Sequence, residues 1–210
     1  MLGFALLLLV YFGMFAVLSL SQNIITGQAG MLSLGHAAFF AIGAYTMAIG
    51  LTAGMDFWTC FFMAGGLSMA AGVLIGLPTL RLSGDYLAIA TLGFGEITRN
   101  VILNWDSLTR GPLGISNIPM AKLFGINLSL DNRVFFILVI WAYVAIVFFV
   151  MRHINRSRFG LALDAVREDE IAATAMGINV TKYKVVSFAI GAFFAGQAGT
   201  FWAIFNGAVN

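Results

Sequence analysis

Apolar runs of near-membrane length alternate with short polar interruptions along almost the whole chain. A helix needs roughly 20 apolar residues to cross about 30 Å of hydrocarbon. Runs at 2–20, 31–54, 57–80, 134–151 and 185–205 approach or exceed that length, and none contains Asp, Glu, Lys or Arg. A sixth, 86–103, is weaker because Glu96, Arg99 and Asn100 fall inside it. The pattern predicts an all-α polytopic transmembrane bundle, one domain over residues 1–210 with six spans. Pro78 cannot donate to a helix ladder and marks the end of the third span, while Asp85 is typed to cap the fourth. The interval 104–133 reads as a long loop punctuated by Gly111, Pro112, Gly114 and Pro119.

The largest polar interruption is 152–184, which holds 10 of the 20 Asp, Glu, Lys and Arg side chains. Asp169 is placed to cap a short helix there, with Glu168, Asp169 and Glu170 at its positive end. Ile171, Ala172, Ala175 and Met176 form an apolar stripe, and Gly177 suits the left-handed position that closes a helix. Asn179 or Thr181 then caps the next span. A short amphipathic helix of small residues, anchored by a span on each side, fits a groove on a soluble protein. A helix lying on the bilayer surface would carry larger hydrophobes and more basic residues than Ala172, Ala173 and Ala175 supply.

Composition agrees with the pattern. The chain is 60% hydrophobic and 10% charged, with a mean hydropathy of +0.95, whereas soluble domains carry about 25% charged residues. The net charge of +2 forms no continuous basic stripe, so nucleic acid is not an expected partner. Placing 152–184 in the cytosol puts seven Lys or Arg on that side, Arg81 among them, against Arg110, Lys122 and Arg133 opposite. That is the orientation expected from the positive-inside bias, and six spans then leave both termini outside. The opening run has no basic leader and exceeds a signal h-region, so it reads as a retained span. Cys60, the single cysteine, is expected to pack.

Catalytic constellations are missing. His36 and His153 fit no His-Glu-x-x-His spacing, and no Gly-Lys-Ser or Gly-Lys-Thr provides a phosphate loop. No catalytic, metal or cofactor site is expected, and any use of ATP belongs to a partner. Polar groups inside spans are costly in hydrocarbon and mark a cavity or a neighbour. Gln28, Ser33 and His36 read as polar lining of a pathway near a broken helix, or, for His36, as a side chain hydrogen-bonded to an adjacent helix. Gln28 and Asn23 would satisfy backbone groups if the first two spans are joined by a non-helical dip. Glu96 and Arg99, three apart, either pair with each other or take part in gating. Gly50 and Gly54, Gly72 and Gly76, and Gly191, Ala195 and Gly199 are small residues four apart, as in closely packed membrane helices.

Glu170-Ile171-Ala172-Ala173-Thr174-Ala175-Met176-Gly177 resembles the Glu-Ala-Ala…Gly loop of ABC importer permeases. Residues 30–45 (Gly-Met-Leu-Ser-Leu-Gly-His-Ala-Ala-Phe-Phe-Ala-Ile-Gly-Ala-Tyr), 84–99 (Gly-Asp-Tyr-Leu-Ala-Ile-Ala-Thr-Leu-Gly-Phe-Gly-Glu-Ile-Thr-Arg) and 158–179 resemble the branched-chain amino acid permeases of the LivM type. The resemblance implies an inner-membrane subunit whose 168–177 segment docks on ATP-binding cassette subunits. It also implies a second permease subunit, a periplasmic binding protein, and leucine, isoleucine or valine as cargo. Urea permeases share the plan, and a non-ABC channel or secondary transporter is the alternative class. Members usually have one more helix before the equivalent of Leu2 and several past Asn210, so the chain reads as a partial permease.

Overall fold

The computed structural model describes residues 2–79, 84–123, 126–128 and 132–210. Arg81, counted in the charge balance, lies outside them. Helix α1 (Leu2–Asn23) runs without interruption into a π-helical turn, Ile24–Gln28. The chain then leaves helical geometry until α2 (His36–Thr52), which starts five residues after the apolar run does. The preceding helical segment ends locally: Gly30 sits at φ +67°, a left-handed value that a continuing α-helix cannot contain.

Buried non-helical backbone survives only where its polar groups find partners. Here the Met31 N–H donates to Ile25 C=O at 3.1 Å, and Leu34 N–H donates to Thr91 Oγ1 at 3.0 Å. The Ser33 carbonyl accepts from Gln22 Nε2 at 2.9 Å. The dip between the first two long segments is therefore a packed structural feature.

Next come α3 (Phe57–Thr79) and α4 (Asp85–Asn104). Asp85 is the first residue of α4 and makes no capping hydrogen bond; Gly84, at φ +58°, occupies the cap position instead. The interval read as one loop holds α5 (Asp106–Thr109), a 3₁₀ turn (Gly111–Leu113), and strands β1 (Ile115–Ser116), β2 (Ala121–Leu123) and β3 (Ile126–Leu128). Then follow α6 (Arg133–Asn155), α7 (Arg158–Glu168), α8 (Glu170–Ala175), α9 (Val180–Asn206) and β4 (Ala208–Val209). Two antiparallel ladders interrupt an otherwise helical fold. β1 pairs with β4, Ile115 opposite Val209, and β2 pairs with β3, Lys122 opposite Asn127.

Among the described residues four helices are long and apolar enough to cross a membrane: Gly3–Gln28, Phe57–Leu77, Arg133–Asn155 and Val180–Asn206. The helix His36–Thr52 is apolar but shorter, and α4 is not in that set. Helix α9 is the axis of the bundle and packs on α1, α2 and α3. Small residues make this possible. A Cβ on Gly43 of α2 would stand 1.9 Å from the Gly196 carbonyl oxygen of α9, and one on Gly199 would stand 2.1 Å from that of Phe40. Gly72 of α3 lies similarly close to Ala192. At the end of the bundle opposite α7 and α8, Phe57, Phe61, Phe136, Tyr143, Phe201 and Phe205 form an aromatic cluster.

Candidate functional site

Two regions carry the polar chemistry, and the structure keeps them apart. The first is the α7–α8 arm. Ser157 opens α7 by accepting from the N–H groups of Phe159 and Gly160, and Gly160, Ala162, Leu163 and Val166 turn inward. Asp169 then breaks the helix at φ −156° and caps α8, accepting from Ile171 N–H at 2.8 Å and Ala172 N–H at 3.0 Å. Gly177, at φ +84°, donates to Thr174 C=O, and Ile178 N–H reaches back to Ala173 C=O at 3.0 Å. That is the closure expected for a helix ending in a left-handed glycine. Asn179 caps α9 by accepting from Lys182 N–H.

Six residues with a cap at each end form a compact knob. Ile171 and Met176 project from it at 83% exposure each, and Glu168, Asp169, Ala172, Ala175 and Gly177 are also exposed. Ala173 departs from the sequence-based set: it is only 4% exposed and faces the bundle, so it is not available to a docking partner. Glu170 is the other departure. Its carboxylate turns back and pairs with the Lys184 ammonium of α9, whose side chain is 3% exposed against 48% for Glu170. Sequence reasoning left Lys184 as one more loop cation, because a partner on a different helix leaves no local signal. Arg167, near the end of α7, reaches the other way: its Nη1 donates to Gly27 C=O at 2.6 Å, at the foot of α1.

The second region is the break between α1 and α2. His36 is buried and shares a hydrogen bond between Nε2 and Ser21 Oγ of α1 at 2.8 Å. Gln28 and Ser33 are also buried. Ser33 Oγ, His36 Nδ1, both amide atoms of Gln28 and Gln22 Oε1 have no hydrogen-bond partner within the described residues. Such a concentration of unsatisfied polar atoms is uncommon in a packed interior. Glu96 and Arg99 lie elsewhere, paired at 3.7 Å on the open face of α4, with 60% and 68% of their side chains exposed. They line a groove of about 650 Å³ between α2 and α4, together with Leu34, Gly35, Ala38 and Tyr45. The groove meets the break at Leu34 and Gly35, but the His36 ring points away from it, toward α1. No group of three or more His, Cys, Asp or Glu among the described residues is placed to hold a metal ion.

Both regions fall within the part of the chain that matches other proteins. The profile of the family described as "Branched-chain amino acid transport system / permease component" matches residues 4–210. The chain belongs to this family. It is 43% identical over 93% of its length to the high-affinity branched-chain amino acid transport system permease protein LivM of Salmonella typhimurium. The LivM of Escherichia coli is 42% identical over the same share, and the alignment covers 51% of each of these two relatives. A probable LivM of Methanocaldococcus jannaschii is 25% identical over 95% of the chain and is itself covered to 67%. The chain thus spans about half the length of the two bacterial relatives. No solved structure matches.

Proposed function

We propose that this chain is the helical core of a permease subunit in an ATP-driven importer of branched-chain amino acids, multi-pass in the bacterial inner membrane. It has no enzymatic activity of its own; ATP hydrolysis belongs to separate cassette subunits that grip α8. The observation that carries the reading is α8 itself, capped by Asp169, closed by Gly177 and presenting Ile171 and Met176 to solvent. The cargo class follows the names of the LivM relatives.

In this reading α1, α3 and α6 run toward the cytosol, and α2, α4 and α9 run back. The 17 residues of α2 and the 20 of α4 rise about 25 and 30 Å, and the packed dip before α2 makes up the difference. The β1–β4 ladder then lies outside, where a periplasmic binding protein docks. Exposed Glu96, Arg99 and Asn100 on α4 would be costly against lipid. That face therefore meets protein or the water of the pathway, and the α2–α4 groove is the stretch through which cargo passes. Alternating access requires an element with different contacts in two states, and α8 supplies it when the ATPases close and reopen.

The test is uptake by the complete complex in proteoliposomes, with binding protein, ATP, and labelled leucine or urea. ATP-dependent leucine uptake that disappears without the ATPase subunits is expected. Leucine uptake that persists without them, or uptake of urea alone, contradicts the proposal.

A further inference from the structure

We infer that Lys184 and Arg167 are the positioning residues through which α8 drives the bundle, Lys184 acting on α9 and Arg167 on the α1–α2 break. The inference rests on the importer reading and goes beyond it, because docking alone does not say how motion leaves a six-residue helix.

Helix α8 touches the rest of the chain very little. Among the described residues, the inward-facing anchors of α8 are the buried Ala173 and the Glu170–Lys184 ion pair. The pair is asymmetric. Glu170 belongs to the exposed knob, whereas the Lys184 side chain is almost wholly enclosed on α9. An enclosed ammonium is strongly held to its counter-charge, so a displacement of α8 pulls on α9. From there the motion has no slack to be lost in. The Gly196 backbone of α9 is in direct contact with Gly43 of α2, and Gly199 is in contact with Phe40. Helix α2 in turn forms one wall of the groove that holds Glu96 and Arg99.

The second tie is independent. Arg167 donates to Gly27 C=O at 2.6 Å, and its Cγ would stand 2.8 Å from a Cβ on Gly30, the residue whose positive φ sets the break. Arg167 is two residues before the Asp169 cap, so the end of α7 that carries α8 also carries the guanidinium that props the dip. Gln28, Ser33 and His36, with their unpartnered atoms, lie immediately beyond. One movement of the arm therefore reaches the central helix and the polar break together.

The experiment compares Lys184→Met, Lys184→Arg and Arg167→Met in the complete reconstituted complex, measuring leucine taken up per ATP hydrolysed. Lys184→Met leaves no stranded buried charge, because Glu170 remains half exposed to water. Arg167 is exposed, so its truncation does not threaten folding. The expected result is a retained ATPase subunit and a coupling ratio lower by about tenfold or more in both Met variants. Lys184→Arg, which keeps the charge, should hold the ratio near wild type; a purely structural role would not give this pattern. A wild-type ratio in either assembled Met variant overturns the inference. If the unsubstituted complex shows no ATP-dependent uptake, the importer reading itself has failed; bound ATPase with an unchanged ratio in the variants removes only the two ties.

Discussion

Gly177→Pro is expected to abolish ATP-driven uptake while leaving the chain inserted and its bundle intact. Gly177 holds φ at +84° and donates its N–H to Thr174 C=O at 2.9 Å. Proline fixes φ near −65° and has no N–H, a combined penalty of about 3 kcal/mol or more. It also disfavours the helix-like φ −81°, ψ 6° of Met176 just before it. A helix of six residues cannot absorb that, so its last turn opens and Met176 loses its place. The bundle is spared because nothing lies within 4 Å of a Cβ at Gly177. Uptake by the complete complex should fall more than about tenfold at unchanged membrane yield, the size of effect a broken coupling produces. Ala172→Glu, exposed and harmless to the fold, should reduce uptake by placing a charge in the docking face. Unchanged uptake in both variants would remove α8 from the mechanism.

Gly43→Val has the opposite signature: it should cost the protein its fold. The new Cβ would meet the Gly196 carbonyl oxygen at 1.9 Å and its carbonyl carbon at 2.5 Å, both backbone atoms of a central helix. Gly196 has little room to retreat, since an added Cβ there would meet Ser68 Oγ at 2.2 Å and the Ala64 carbonyl oxygen at 2.8 Å. Overpacking of this kind costs on the order of 3 kcal/mol or more, a large share of a marginal stability. The yield of folded protein and its thermal midpoint in detergent should both drop sharply. Gly66→Val, on an exposed face with nothing within 4 Å, is the control and should leave the midpoint unchanged. Equal midpoints for the two variants would contradict the packing described for α2 against α9.

The sequence disclosed what is decided locally. Apolar runs located all six long helices, since hydrocarbon length and composition leave few alternatives. The ends of α8 and the start of α9 were equally legible, because Asp169, Gly177 and Asn179 act on backbone groups two or three residues away. Where local rules failed, a backbone feature intervened. Gly84 with positive φ took the cap position from Asp85, and Gly30 with positive φ ended the first helical segment, after which α2 begins only at His36. Distant pairings were hidden. Glu170 with Lys184, Arg167 with Gly27, and Gly43 with Gly196 join residues on different helices, and β1 pairs with β4 from the far end of the chain. The small-residue pattern pointed to Gly50, Gly72, Gly191 and Gly199, which are closely approached, but also to Gly54, which has nothing within 4 Å, and it passed over the tightest approach, at Gly43.

The central claim is that the α8 knob lies in the cytosol, and one introduced thiol addresses it. Met176 is 83% exposed, and Cys60, the chain's own cysteine, is buried and gives little background. Met176→Cys should be expressed without the ATPase subunits, so that nothing shields it, and treated with a membrane-impermeant maleimide. The account predicts no labelling in sealed cells and strong labelling in inverted vesicles. Labelling in sealed cells would place α8 outside and contradict the account.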